Sequence, residues 1–235
     1  MRRRTNYVLD LAHIRLEEER PTDGDFFTSL KDGSMTLEEF RLTQEQFYHA
    51  VNYYSQPIAA LFSRLNDPAL RMKLLLNLLD EHGNIDLERC HTMTFKAFLE
   101  GIEACADSPE GPEAKAFNAA LTGICTHEKE EFAMAALGMI ELCFTEISQA
   151  IAEGVIERGW MKEEDLAHYS LHAHLDIEHA TTLFELAMSM DNASDRAITD
   201  GLAFGQFLIL RLYEDLLCRS RKAIRMENRR PELVA

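Results

Sequence analysis

Three residues near the C-terminal end of the chain, His172, Asp176 and His179, follow the pattern H-x3-D-x2-H. On a helix, at about 100° per residue, Asp176 falls roughly 40° and His179 roughly 20° from His172. Two imidazoles and a carboxylate therefore share one stripe, a donor set suited to a borderline metal such as iron, manganese or zinc. His174 and Glu178 fall on the far side of the same helix, at roughly 200° and 240°. His168 is also placed off the stripe. The triplet defines part of a site but does not choose the metal.

More donors must come from other helices. Glu81 ends a helical segment and shares a face with Leu70, Leu74, Asn77 and Leu78, so its carboxylate is expected to point inward. A buried carboxylate needs a charge partner or a metal. Asp80 and His82, about 100° to either side, are expected to be solvated or capping. His91 is read in line with Leu87, Phe95, Phe98 and Ile102, and Glu141 is set among Met134, Leu137, Gly138 and Phe144. Gly138 would let a second backbone or a ligand come close. Chemistry at a metal needs open coordination positions, so six protein donors suit two metals better than one. Carboxylates and histidines in helical bundles are the setting of di-iron and di-manganese centres. Glu-x-x-His pairs mark such sites, and here only Glu88–His91 fits, with Asp176–His179 as an Asp variant. Glu88 is therefore a rival to Glu81.

The elements that would carry these donors read as helices throughout. Residues 1–40 form an N-terminal arm or short helices, and residues 41–235 one helical-bundle domain. The pattern predicts a helix from Thr43 to about Leu65 kinked at Pro57. A second, capped by Asp67 with Pro68 at its first position, runs to about His82 before Gly83. Leu74–Leu79 is apolar nearly all round, the mark of a central helix. Asp86 is expected to cap a helix to about Ala104, and residues 107–112 form a loop. Further helices are expected over Glu113–Ile124, His127–Glu153 with Thr126 as N-cap, Lys162–Met190 and Asp195–Met226. No alternating strand pattern occurs. The fold class is all-α, a bundle of seven or eight helices.

Composition limits the partners. Hydrophobic residues are 46% of the 235 and charged residues 27%, ordinary for a globular chain with ample core. The net charge of −16 argues against nucleic acid as the main partner. No run of 18 uninterrupted apolar residues occurs, so no membrane span is expected and a cytoplasmic location is. The five cysteines are scattered and never form C-x-x-C, which reads as reduced thiols. A homodimer is compatible with the sequence.

Several of these segments together resemble one family. The run Leu42-Thr43-Gln44-Glu45-Gln46-Phe47 through Asn52-Tyr53-Tyr54, then Asn77-Leu78-Leu79-Asp80-Glu81-His82-Gly83, His91, Leu137-Gly138-Met139-Ile140-Glu141 and the H-x3-D-x2-H triplet are similar to the heme-oxygenase-like di-iron oxidases and oxygenases. Those proteins share a seven-helix fold with thiaminase II and pyrroloquinoline-quinone synthase. The resemblance spans about residues 40–215, and its specific parts are the Asn-Leu-x-Asp-Glu-His-Gly segment and the triplet. It implies metal ligands at Glu81, His91, Glu141, His172, Asp176 and His179, favouring Glu81 over Glu88. It also implies two iron ions, with manganese as an alternative occupant, and activation of O2. Reactions of such relatives include N-oxygenation, oxidative fragmentation of amino acids and decarboxylation of fatty acids to alkenes. Thiaminase chemistry is disfavoured, because no cysteine nucleophile can be placed with partners.

Phe95, Phe98, Met134, Leu137 and Phe144 are expected to line the substrate pocket. Such a lining suits a small molecule with an apolar part, amino-acid-derived or fatty-acid-like. Two other classes compete with the O2-dependent oxidoreductase. One is a cofactor-independent or organic-cofactor enzyme on the same fold, and the other a non-catalytic helical binding protein.

Overall fold

The computed structural model describes residues 2–190 and 193–229, apart from the side chains of residues 2–6, Leu171, Ala173 and His174. Among the described residues there are ten α-helices and no strand. They are α1 (Arg2–Glu18), α2 (Asp25–Asp32), α3 (Leu37–Tyr53), α4 (Ser55–Arg64) and α5 (Pro68–Glu81), followed by α6 (His91–Gly101), α7 (Pro112–His127), α8 (Glu130–Glu157), α9 (Ala167–Ser189) and α10 (Asp195–Arg229). Of these, α1 and α2 lie in the first forty residues, and a break near Pro57 gives two helices where one is expected. Val8, Ala12, Leu16, Phe26, Phe27, Leu30 and Met35 are buried in the same core as the rest of the bundle.

Helix α8 is the axis of the structure. It packs most extensively on α9 and α10 and is buried on every side from Ala133 to Phe144. By length and composition it could cross a membrane, but 78% of its most apolar window is covered by the bundle. Close crossing with α10 depends on missing side chains. A Cβ on Gly205 would lie 2.1 Å from the Ala136 carbonyl oxygen, and one on Gly201 2.5 Å from that of Phe132. Glycine at both positions lets the two backbones touch. Gly138, expected to admit a backbone or ligand, instead receives Phe184 and Leu183 of α9.

Local chemistry sets the helix ends. Thr36 opens α3 with a reciprocal capping box, its hydroxyl accepting from the Glu39 amide at 3.1 Å while Glu39 accepts from the Thr36 amide at 2.7 Å. Pro57 lacks an N–H and its ring crowds the carbonyl four residues earlier. The helix accordingly breaks at Tyr54, giving two helices instead of one kinked one. Asp67 caps α5 as expected, accepting from Ala69 N at 2.8 Å. That helix is not central, however: Met72 and Leu76 are more than half exposed. An apolar run identifies a helix without saying which side is covered, and the central role falls to α8.

The segment after α5 differs from the expected helix. Gly83, Asn84 and Ile85 all have positive φ, so the chain folds back sharply. A Cβ on Gly83 would lie 2.5 Å from the Arg89 carbonyl carbon, so only glycine fits. Asp86 does cap, accepting from Glu88 N at 3.1 Å, but it caps a 3-10 turn over Leu87–Arg89. The α-helix starts only at His91, and Leu87 and Glu88 are exposed. Likewise Thr126 belongs to α7, and the N-cap position of α8 is Lys129.

Candidate metal centre

Glu81 is the last residue of α5 and His91 the first of α6, so the tight turns between them bring the two side chains together. His91 Nδ1 lies 3.1 Å from Glu81 Oε2. Glu141 projects from the middle of α8, and α9 supplies the other three groups. His172 Nδ1 is 2.8 Å from Asp176 Oδ1, and the His172 ring centre is 4.3 Å from that of His91. His179 Nδ1 is 3.9 Å from Glu141 Oε2. Ligand atoms of Glu81, Glu141 and His179 lie within 4.8 Å of one another. The structure thus brings all six expected residues into one cluster, each at most 8% exposed. Glu88 lies outside it on the surface.

The electrostatics of the cluster are unusual for a protein interior. Burial disfavours charge on Glu81 and His91, but their contact outweighs it. It holds Glu81 below the usual carboxylate range and pushes His91 up to about 9. Burial pushes Glu141 up to about 8, reinforced by Asp176, and raises Asp176 well above its ordinary value. Burial also brings His172 down to about 3, helped by His91. No Lys or Arg forms an ion pair with any of these carboxylates among the described residues.

The residues fit a metal on their own chemistry. Within the protein, His91 Nε2, Glu141 Oε1, His172 Nε2, Asp176 Oδ2 and His179 Nδ1 are buried without hydrogen-bond partners. Three carboxylates out of water with only histidine beside them form a site where a bound cation would offset the cost of burial. The mixed oxygen and nitrogen donors suit iron or manganese, and also zinc.

Asp80 was expected to be solvated or capping, but it reaches His179, with Oδ2 3.2 Å from Nε2. Its other oxygen accepts from Asn84 Nδ2 at 2.9 Å. A carboxylate on one ring nitrogen of a histidine sets the tautomer and frees the other for a metal. His179 Nε2–H pointing at Asp80 leaves Nδ1 bare toward Glu141, in keeping with its missing partner. His82 behaves as expected, exposed and bonded to the Leu78 carbonyl at 2.7 Å.

His168, expected off the stripe, is buried with its ring centre 4.4 Å from that of His172. It precedes His172 by four residues, one helical turn, so the two share a face. The side chain of His174, the other residue placed off the stripe, lies outside the described residues. Beside the cluster a cavity offers about 50 Å³ to the centres of water-sized molecules. Glu81, His91, Glu141, His168 and His172 border it, with Tyr54 and apolar groups from α3, α7, α8 and α10. Of the five expected lining residues only Phe144 is there. Phe95, Phe98, Met134 and Leu137 are fully packed in the core, while α8 turns Ile140, Glu141 and Phe144 to the cavity.

The sequence profile of the iron-containing redox enzymes matches residues 41–213. The chain belongs to this family. Among curated relatives it is 26% identical over 177 residues to a 4-aminobenzoate synthase of Chlamydia trachomatis serovar D, covering 73% of this chain and 75% of that protein. A 4-aminobenzoate synthase of Chlamydia pneumoniae is 20% identical over 186 residues, covering 77% and 82%. Two solved structures share the fold. A TenA homologue from Pyrococcus furiosus superposes with a TM-score of 0.66 at 13% identity, covering 89% of this chain and 99% of that one. A domain with a heme oxygenase-like fold from Shewanella denitrificans gives 0.69 at 14% identity, covering 95% and 92%. This iron-containing redox enzyme therefore has the all-α heme-oxygenase-like architecture, with the carboxylate–histidine cluster at its centre. The buried thiols Cys125 and Cys143 are pushed up by burial, Cys125 to about 12, and no cysteine borders the cavity.

Proposed function

We propose that this chain is a non-haem di-iron oxidase or oxygenase that uses O2 to oxidise a small molecule. The observation that carries the reading is the buried set of three carboxylates and three histidines, with five ligand atoms lacking hydrogen-bond partners and no Lys or Arg paired to it among the described residues. Glu81, Glu141 and His179 would hold one ion, and His91, His172 and Asp176 the other, with Glu81 near enough to His91 to serve both. Bound ferrous iron supplies the electrons and open positions that O2 chemistry needs.

The chain's own residues do the rest. His172, Asp176 and His179 sit on one continuous helix and form the rigid side of the site. Glu81, His91 and Glu141 come from three other helices and form the side that can adjust. Asp80, held by Asn84, keeps the Nε2 proton of His179 away from the metal. The surrounding core excludes bulk water, which strengthens each charge interaction at the centre. The substrate is amino-acid-derived or fatty-acid-like, and the name of the chlamydial relatives adds 4-aminobenzoate to the products worth assaying.

Anaerobic titration with Fe(II), followed by O2 and absorption spectroscopy, tests the proposal. The expected result is about two irons per chain and substrate-stimulated O2 uptake that Zn(II), being redox-inert, does not support. Iron binding no greater than that of an unrelated protein would overturn it.

A further inference from the structure

His168 has a fixed hydrogen-bonding character. The Thr94 hydroxyl donates to the His91 carbonyl at 3.1 Å. With that proton on the His91 carbonyl, the Thr94 oxygen accepts from His168 Nδ1, 2.9 Å away. Nδ1 of neutral His168 therefore carries the ring hydrogen, and Nε2 presents a bare lone pair. That atom is buried and has no partner within the protein. An unsatisfied buried acceptor is costly, so something with a hydrogen to donate belongs there.

A complementary group borders the same cavity. The break between α3 and α4 leaves Tyr54 at the corner of two helices, its hydroxyl buried and without a hydrogen bond of normal geometry. Burial raises the phenol well above its usual range, and Glu141, close enough to interact with the hydroxyl, raises it further. The remaining wall is apolar: Phe47, Phe117, Ile140, Phe144 and Ile209, with smaller residues between them. Among the described residues no lysine or arginine lines the space, and His91, the cation beside it, is already paired with Glu81. The space is small and mostly apolar, which suits the apolar end of a small molecule.

We propose that this cavity is a substrate subsite for an uncharged hydroxyl or amine group on an apolar chain. His168 Nε2 accepts its hydrogen and the Tyr54 hydroxyl donates to its lone pair. The assignment rests on the proposed function, since it makes the cavity the substrate side of the metal centre. It favours an amine- or hydroxyl-bearing compound over a fatty acid entering carboxylate first.

The test uses the full chain stripped of metal, labelled with 15N-histidine, and three four-carbon probes: 1-butanol, butyronitrile and butyrate. Butyronitrile can accept from Tyr54 but gives His168 nothing, and butyrate brings a charge. 1-Butanol is expected to bind about tenfold more tightly than butyronitrile and to shift the Nε2 resonance of His168. In His168→Leu that advantage should vanish while butyronitrile binding stays within about twofold. Thr94→Val offers a second route, because it releases the ring hydrogen from Nδ1. The butanol preference should shrink and the Nε2 resonance move toward its protonated position. Equal binding of butanol and butyronitrile, tighter butyrate, or a preference that survives both variants would overturn the subsite. So would a cavity that holds only water and takes none of the probes. Fe(II) stoichiometry measured on the same preparation separates this from failure of the di-iron reading: normal iron binding without a butanol preference sinks only the subsite.

Discussion

Loading the centre with metal should release protons, and the number follows from the buried groups. A metal ligand must be deprotonated, so each group protonated in the metal-free chain loses its proton on binding. At pH 7 His91, pushed up to about 9, is almost fully protonated, and Glu141, near 8, is about nine-tenths protonated. Glu81, held low by His91, and His172, brought down to about 3, have nothing to give. About two protons should therefore leave per chain, with Asp176, whose carboxyl is raised, adding up to one more. Each displaced proton costs tenfold in affinity per pH unit below the group's pKa. Full loading should weaken about a hundredfold between pH 7 and pH 6, or about 2.7 kcal/mol. Above pH 9 the dependence from these two groups should fade. The assay is titration of weakly buffered, metal-free chain with Zn(II), following the base needed to hold pH. A chelator competition at pH 6, 7 and 8 then gives the affinities. Release of less than half a proton, or affinities flat across that range after correcting for the chelator, would refute the argument that these buried groups are the ligands.

Four further outcomes can be measured. Glu81→Ala should lose at least one metal ion while Glu88→Ala, on the exposed turn, should keep both, as read by metal analysis after desalting. Asp80→Leu should lower affinity for the ion held by His179 by about 10- to 100-fold, and 15N spectra of that variant should show both His179 tautomers where the parent shows one. Gly205→Ala must push α10 off the Ala136 carbonyl and should cost about 3 kcal/mol, or roughly 10 °C in melting temperature. Gly123→Ala, where a Cβ meets nothing within 4 Å, should stabilise its helix slightly in the same thermal scan.

The parts of the centre that could be read from sequence were those carried by regular helix. His172, Asp176 and His179 lie within one helix, so a fixed rotation per residue relates them before any tertiary contact is known. Glu81 and Glu141 stood out as carboxylates among apolar neighbours, a local conflict that burial must resolve. The same rotation places His168 one turn before His172, yet it was set aside. Its position decides the character of the cavity. Asp80 was missed for a different reason: helical angles within α5 set its direction but not what packs against that side. Its partner is 99 residues away. The cavity walls were the least legible. A helix as apolar as α8 gives no sign of which face meets an opening, and Tyr54 arrives there only because Pro57 splits a helix expected to be continuous.

The unmatched carboxylates have a consequence for the life of the chain as well as for its chemistry. A dication that binds only the folded cluster adds to folding stability as RT ln(1 + [M]/Kd), about 2.7 kcal/mol when free metal is a hundred times Kd. Loading thus offsets part of the cost of confining Glu141 and Asp176. Metal supply becomes a folding variable, and the population of native chain should track the free concentration of iron around it. Scarcity would then do more than leave an idle catalyst: it would enlarge the unfolded fraction open to proteases, and protein abundance would fall along with activity.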